Sequence, residues 1–385
     1  MAPNSFIFNF NDMKIQSNLT RVLKIIFLCG LVASGFEIRL RNFSSSPFIS
    51  KGKKIVLPAN KEYVFINDTM KRMDPIIRVK KNSLGFRGAE PPVDFGNYFS
   101  IVVLGGSTAA CDNLTEGKTW VDLIQRKLKE AFPTIWINNA GFAGHSTVAH
   151  ILLLEDYIVN LHPKMVIFFV GINDVDVEQN EHFTEGIVRN KFQFNSILDF
   201  LRSVNRNIQV INVMVNMGQQ YFGHKRVLSY GEADLKAMPR LTLSAEQKSA
   251  AMEVQREKNV KAFGDRLQRL YKTSRVHGII PVFVTVPSLY GDQIDDVTGL
   301  DLGDIKVAEG RNAGLMGTIV ELYINEIKVL AHQGIYVIDL AGKMPKSSRY
   351  FGDFYHFTNE GAAKAADIIY PELSKILSSQ NLKNN

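Results

Sequence analysis

The run MVIFFV, residues 165–170, is six apolar residues without a polar interruption. A strand with one face in water alternates apolar and polar residues, so a short unbroken run belongs to an element covered on both sides. Four more runs have the same character: SIVVL (100–104), IWINN (135–139), IIPVFVTV (279–286) and IYVID (335–339). Helical patterns separate them. In 118–131, Trp120, Val121, Leu123, Ile124 and Leu128 form one apolar stripe, and further helices are expected near 147–160, 246–277 and 312–332. Strands alternating with helices predict a parallel sheet joined by right-handed crossovers, a three-layer α/β/α sandwich with five strands. A chain of 385 residues, 45% hydrophobic, has the apolar material for that core.

The organisation expected around this sheet has three parts: a tail, apolar segment and serine-rich linker (1–50), a lead-in (51–98), and the α/β domain (99–385). The lead-in carries strand-like pieces, KIVLP, EYVFI and IIRVK, broken by proline and glycine. One connection is too long for a simple crossover, and an insertion at about 176–278 is expected there. Its stretch 197–222 is apolar or amphipathic, which suits a cap over the sheet's rim, a membrane-facing helix or ordinary packing on the domain.

In an open parallel sheet, ligands bind beyond the carboxyl ends of the strands. After the first predicted strand come Gly105, Gly106, Ser107 and Thr108; after the second comes NNAGFAGHST, with Gly141, Gly144 and His145. The third is followed by GINDV, with Asn173 and Asp174, and beyond the fifth stands GDFYHF, with Asp353 and His356. A hydroxyl, glycine amides, a carboxamide and an Asp–His pair at one rim are the parts of an acyl-transfer site. Each has a plainer reading alone. Ser107 suits a tight turn, Gly141 a loop, Asn173 and Asp174 a helix cap, and Asp353 with His356 a surface ion pair or half a metal site.

Taken in order, GGST, NAG, GIND and DFYH resemble the blocks of the SGNH (GDSL-like) hydrolase superfamily, over residues 99–373 with the long connection unmatched. One departure is that Gly106 stands where the family carries an acidic residue. The resemblance implies a flavodoxin-like α/β/α fold and a serine esterase cleaving O-acyl esters, with short acyl groups on envelope carbohydrate as the expected substrate. It implies Ser107 as nucleophile, His356 as base and Asp353 as its orienting carboxylate. The Ser107 N–H, the Gly141 N–H and the Asn173 carboxamide would hold the oxyanion, with Thr108 and His145 as candidate substrate contacts. Neither metal nor cofactor is called for. The same acyl-enzyme would serve an O-acyltransferase of polysaccharide modification, and a lipase or a non-catalytic glycan-binding protein are further alternatives.

Composition narrows the partners. The net charge of +7 is scattered, and no zinc-finger, homeodomain or RNA-binding signature accompanies it, so nucleic acid is not an expected partner. Cys29 and Cys111 are the only cysteines, too few for a disulfide framework or a thiolate metal site. Residues 25–36, IIFLCGLVASGF, are uncharged and follow Arg21 and Lys24, the pattern of a signal peptide or signal anchor. The segments GFEIRLR (35–41) and KKNSLGFRGAEPP (80–92) resemble the front ends of membrane-tethered bacterial SGNH proteins. The expectation is a membrane-attached protein whose catalytic domain faces out of the cytoplasm.

Overall fold

The computed structural model describes residues 57–68, 70–179 and 231–380, all within a compact unit that comprises 50–193 and 223–385. Its centre is a parallel sheet of β3 (Phe99–Gly105), β4 (Ile135–Asn139), β5 (Met165–Val170), β6 (Ile280–Thr285) and β9 (Tyr336–Ile338). The strands lie in the order β4-β3-β5-β6-β9, the doubly wound arrangement in which the direction of winding reverses between β3 and β5. The five predicted runs all appear as these strands. Every residue of β4 and β5 is buried, as unbroken apolar runs require.

Helices cover both faces. Helix α2 (Trp120–Ala131) packs along α8 (Asn359–Ser379), and α3 (Thr147–Asp156) packs along α5 (Lys261–Val276), with α6 (Ala313–His332) beside α5. The starts of these helices are written locally. Thr119 and Asp122 form a capping box at α2, and Thr358 accepts the Gly361 N–H at 3.0 Å to begin α8. A short helix α1 (Ser107–Ala110) follows β3 directly, and α7 (Leu340–Lys343) follows β9.

The long connection is narrower as an insertion than its sequence suggests. Residues 245–276 form α4 (Ala245–Val254), a π-helical turn (Gln255–Val260) and α5, and α5 is the ordinary crossover between β5 and β6. The stretch 197–222 lies outside the described residues, as does the apolar segment 25–36. Among the described residues no helix is long and apolar enough to cross a membrane. A small hairpin, β7 (Lys306–Ala308) and β8 (Arg311–Asn312), precedes α6.

The lead-in forms an antiparallel hairpin of β1 (Lys61–Ile66) and β2 (Ile76–Lys81), and the chain then runs to the open edge of β4. There Arg87 exchanges both backbone hydrogen bonds with Asn139, at 2.7 and 3.0 Å. Its guanidinium is buried and donates to the carbonyls of Ala110, Cys111 and Leu114 while pairing with Glu116 at 2.8 Å. One side chain therefore meets three carbonyls at and just after the end of α1, of which that of Cys111 also accepts the Leu114 N–H at 2.9 Å. Replacing Arg87 with alanine would remove the donor to the Ala110 and Leu114 carbonyls and one partner of the Glu116 carboxylate, which also accepts the Lys80 N–H at 2.8 Å. Arg87→Ala is expected to lower unfolding stability by about 3 kcal/mol, read from the shift in urea midpoint. A shift near zero would contradict the clamp.

Candidate active site

Ser107 is the first residue of α1, placed by β3 at the point where the sheet reverses its winding. Its backbone N–H is among the first donors of a helix and has no intrahelical acceptor. Gly105 and Gly106 precede it for reasons of space. A β-carbon on Gly105 would meet the Ala109 side chain and the Phe169 carbonyl, and one on Gly106 would collide with Asn173 Nδ2. Gly106 has φ −82°, open to any residue, so the requirement for glycine is close approach alone. The carboxamide of Asn173 fills the space into which a side chain at 106 would project.

His356 Nε2 lies 2.7 Å from Ser107 Oγ, and His356 Nδ1 lies 2.6 Å from Asp353 Oδ2. Asp353 Oδ1 accepts the backbone N–H groups of Tyr355 at 2.9 Å and His356 at 2.8 Å, which fixes the carboxylate within its own turn. The Gly352 N–H closes that turn onto the His356 carbonyl at 2.8 Å. Asn113, which the sequence did not single out, donates to the Phe357 carbonyl at 2.7 Å and ties the loop after α1 to the loop of the histidine.

The expected oxyanion donors are distributed differently from the sequence reading. The Gly141 N–H donates to Asn139 Oδ1 at 2.8 Å, while Asn139 Nδ2 reaches the Ala109 carbonyl at 2.6 Å. Gly141 is thus held in a clamp on α1 and its amide is occupied, which corrects its assignment as a donor. Three residues on, Gly144 is exposed with φ +80°, and its N–H has no partner among the described residues. Asn173 gives one amide hydrogen to the His145 carbonyl at 3.0 Å and keeps the other. Gly171, at φ +126°, makes the turn that carries Asn173 off the end of β5.

Thr108 is 2% exposed and leaves a ligand almost no side-chain surface, so the structure does not support it as a substrate contact. His145 contributes its carbonyl to Asn173, and its ring lies tilted against Phe142 at 4.9 Å. Asp174 reaches across to the start of α3, accepting the Thr147 N–H at 3.0 Å, and Arg266 of α5 donates to Thr147 Oγ1 at 2.6 Å. Burial pushes the Asp174 carboxyl up, against the pull of Arg266. The loops bearing Gly144 and Asn173 are therefore locked together by a buried carboxylate and an arginine from a third element. Among the described residues no group of three or more His, Cys, Asp or Glu side chains is placed to hold a metal ion.

Residues 103–279 match the model of the GDSL-like lipase/acylhydrolase family. The match spans a little under half of the chain, and the enzyme class it supports is that of the carboxylic ester hydrolases. Among solved structures, the GDSL-like chain is similar to a psychrotrophic esterase from Pseudoalteromonas sp., at 13% identity over 73% of this chain and 99% of that one, with a TM-score of 0.38. It is similar to an acetyl xylan esterase at 14% identity, over 71% of this chain and 98% of that one, with a TM-score of 0.37. A catalytic mutant of an acetylxylan esterase from Geobacillus stearothermophilus matches at 13% identity, over 71% and 93%, with a TM-score of 0.40. No curated protein matches the chain.

Two further histidines near the site are held neutral. Burial pushes His145 down to about 4, and burial followed by the charge of His145 pushes His150 down to about 3. The two rings lie 6.2 Å apart. Unfolded, both would take up protons below their ordinary value of 6.5. The folded protein refuses those protons until the pH approaches 4, so the stability present above 6.5 is lost as pH falls through that window. Each histidine is expected to cost about 1–2 kcal/mol of stability between pH 7 and pH 5. Urea unfolding at the two pH values would measure it, and His150→Phe should flatten the dependence; an unchanged slope in that variant would refute the assignment.

Proposed function

We propose that the protein is a serine esterase that cleaves short-chain O-acyl esters on carbohydrate through a covalent acyl-enzyme. The observation that carries the reading is the hydrogen-bonded relay from Asp353 through His356 to Ser107 at the switch point of the sheet. A neutral hydroxyl attacks an ester poorly, and a base at 2.7 Å removes its proton as the new C–O bond forms. Asp353 holds the tautomer that directs Nε2 at Ser107 and stabilises the imidazolium that results. The negative oxygen of the tetrahedral intermediate would be met by the Ser107 N–H, the free amide hydrogen of Asn173 and the Gly144 N–H, the last replacing Gly141. Each such donor is typically worth about 3 kcal/mol of barrier. Collapse of the intermediate passes the proton from His356 to the departing alcohol. Water, deprotonated by His356, then releases the acyl group from Ser107.

A fluorophosphonate probe is expected to label Ser107 in the wild-type protein and fail in Ser107→Ala. In His356→Ala, labelling should slow by a factor on the order of a thousand, the usual scale for loss of a general base. Labelling at equal rates in wild type and His356→Ala would remove His356 from the mechanism. Comparing p-nitrophenyl acetate with a long-chain p-nitrophenyl ester tests the short-chain part of the proposal, and a preference for the long chain favours a lipase.

The place of action proposed is the outer face of a membrane, with residues 21–40 as the attachment. The uncharged run behind Arg21 and Lys24 supports this. Removing residues 1–40 is expected to move the protein from the membrane pellet to the soluble fraction. Persistence in the pellet after salt and carbonate washing would place the attachment elsewhere.

A further inference from the structure

Ser107 is flanked by two different surfaces. On one side stand the oxyanion donors, with the apolar ring of Phe142 exposed on the same loop as Gly144. On the other side, next to the base, stands a pair of tyrosines. The ring of Tyr355 lies 4.3 Å from that of His356, centre to centre, and Tyr290 lies 6.3 Å from Tyr355. Tyr290 is stacked flat on Phe354 at 4.9 Å and 11°. Its loop is fixed at two points, by Leu289 N–H to the Phe354 carbonyl at 2.6 Å and by Lys346 Nζ to the Tyr290 carbonyl at 2.6 Å. The aromatic wall is therefore rigid before any substrate arrives.

Neither tyrosine hydroxyl has a hydrogen-bond partner among the described residues, and neither oxygen is among the atoms sealed from solvent, so both are open to a ligand although Tyr290 is only 7% exposed and Tyr355 is half-buried. Burial pushes both above the usual tyrosine range, followed for Tyr290 by the charge of Tyr355 and then of Asp353, and for Tyr355 by that of Asp353, which puts the two hydroxyls in the electrostatic neighbourhood of the Asp353 turn.

Chemistry says what lies on this side. The base that removes the proton of Ser107 is the group that returns it to the departing alcohol, so the leaving group sits on the face of His356 away from the oxyanion donors. We infer that Tyr355 and Tyr290 form the leaving-group subsite, and that its occupant is a hydroxylated ring, a pyranose unit of a glycan. The partly open face of Tyr355 suits the C–H face of a sugar, and the two phenols supply hydrogen bonds that an aliphatic alcohol or a fatty chain could not use. The inference rests on the esterase reading above and deepens it by naming the alcohol.

By microscopic reversibility the same subsite takes an alcohol that attacks the acyl-enzyme. The alcohol oxygen bonds to the acyl carbon, its proton passes to His356 and on to Ser107 Oγ, and the bond from the acyl carbon to Ser107 breaks. The full chain in detergent is supplied with p-nitrophenyl acetate as donor and with methyl β-D-glucopyranoside or propan-1-ol, at equal concentration, as acceptor. Acetylated products and p-nitrophenol are both measured. The glycoside is expected to capture the acetyl group in preference to propan-1-ol, and that preference should fall about tenfold in Tyr355→Ala and in the double variant Tyr290→Phe with Tyr355→Phe, the scale of losing two hydroxyl contacts. The double variant removes only the hydroxyls, so it separates recognition from folding. Capture of neither alcohol, equal capture of both, or a preference unmoved in both variants overturns the subsite while p-nitrophenol release that depends on Ser107 continues. Release that is the same in Ser107→Ala overturns the esterase reading itself, and the subsite with it.

Discussion

His356 Nε2 meets Ser107 Oγ at 2.7 Å across 249 residues of chain, and a contact so short between two loops persists only if both are held from several directions. Ser107 is fixed by the sheet beneath it, by the Asn139 carboxamide on the Ala109 carbonyl, and by Arg87 on the three carbonyls that follow α1. His356 is fixed by the turn that Asp353 closes and by the bond from Asn113 to the Phe357 carbonyl. Asn113 belongs to the loop that Arg87 clamps, so the supports of Ser107 and His356 are one connected piece. The lead-in that carries Arg87 is in that sense part of the framework of the candidate site, although it precedes the α/β domain in the chain.

The polar groups that provide this rigidity are expensive to bury. Arg87, Asp174 and Asn139 are each almost wholly removed from water, and each has its donors or acceptors matched by loop groups that would otherwise be unsatisfied. The arrangement substitutes a few long-range hydrogen bonds for the regular secondary structure that loops lack. His145 and His150 show the opposite treatment: desolvation keeps them neutral. Beside the candidate site their charge would alter the field, and their neutrality leaves that field to the fixed dipoles of the backbone and of Asn173.

Much of this was legible in the sequence because the relevant signals are local. The unbroken runs named the five strands, since a parallel strand covered on both faces has no polar face to interrupt it. Asp353 and His356 were legible as a pair three residues apart within one turn. Gly141 was misread because an amide's availability depends on a side chain elsewhere: Asn139 turns back and takes it, leaving Gly144 open. Thr108 was misread because a place beside the nucleophile does not reveal which way a helix of one turn faces. The helical span 245–276 was assigned to an insertion, yet it is the sheet's own crossover, which only its packing on α3 discloses.

The sequence by itself therefore determined the layers, the order in which chemistry-bearing residues reach the strand ends, and the spacing of the Asp–His turn, because periodicity and short turns are properties of neighbouring residues. Only the tertiary structure decided which amides remain free, that Gly106 yields its space to Asn173, that Arg87 braces the loop of the nucleophile, and that Tyr290 and Tyr355 stand together beside His356. Each of these depends on groups that come within a few ångströms only after the chain has crossed the sheet, and no local pattern encodes such an approach.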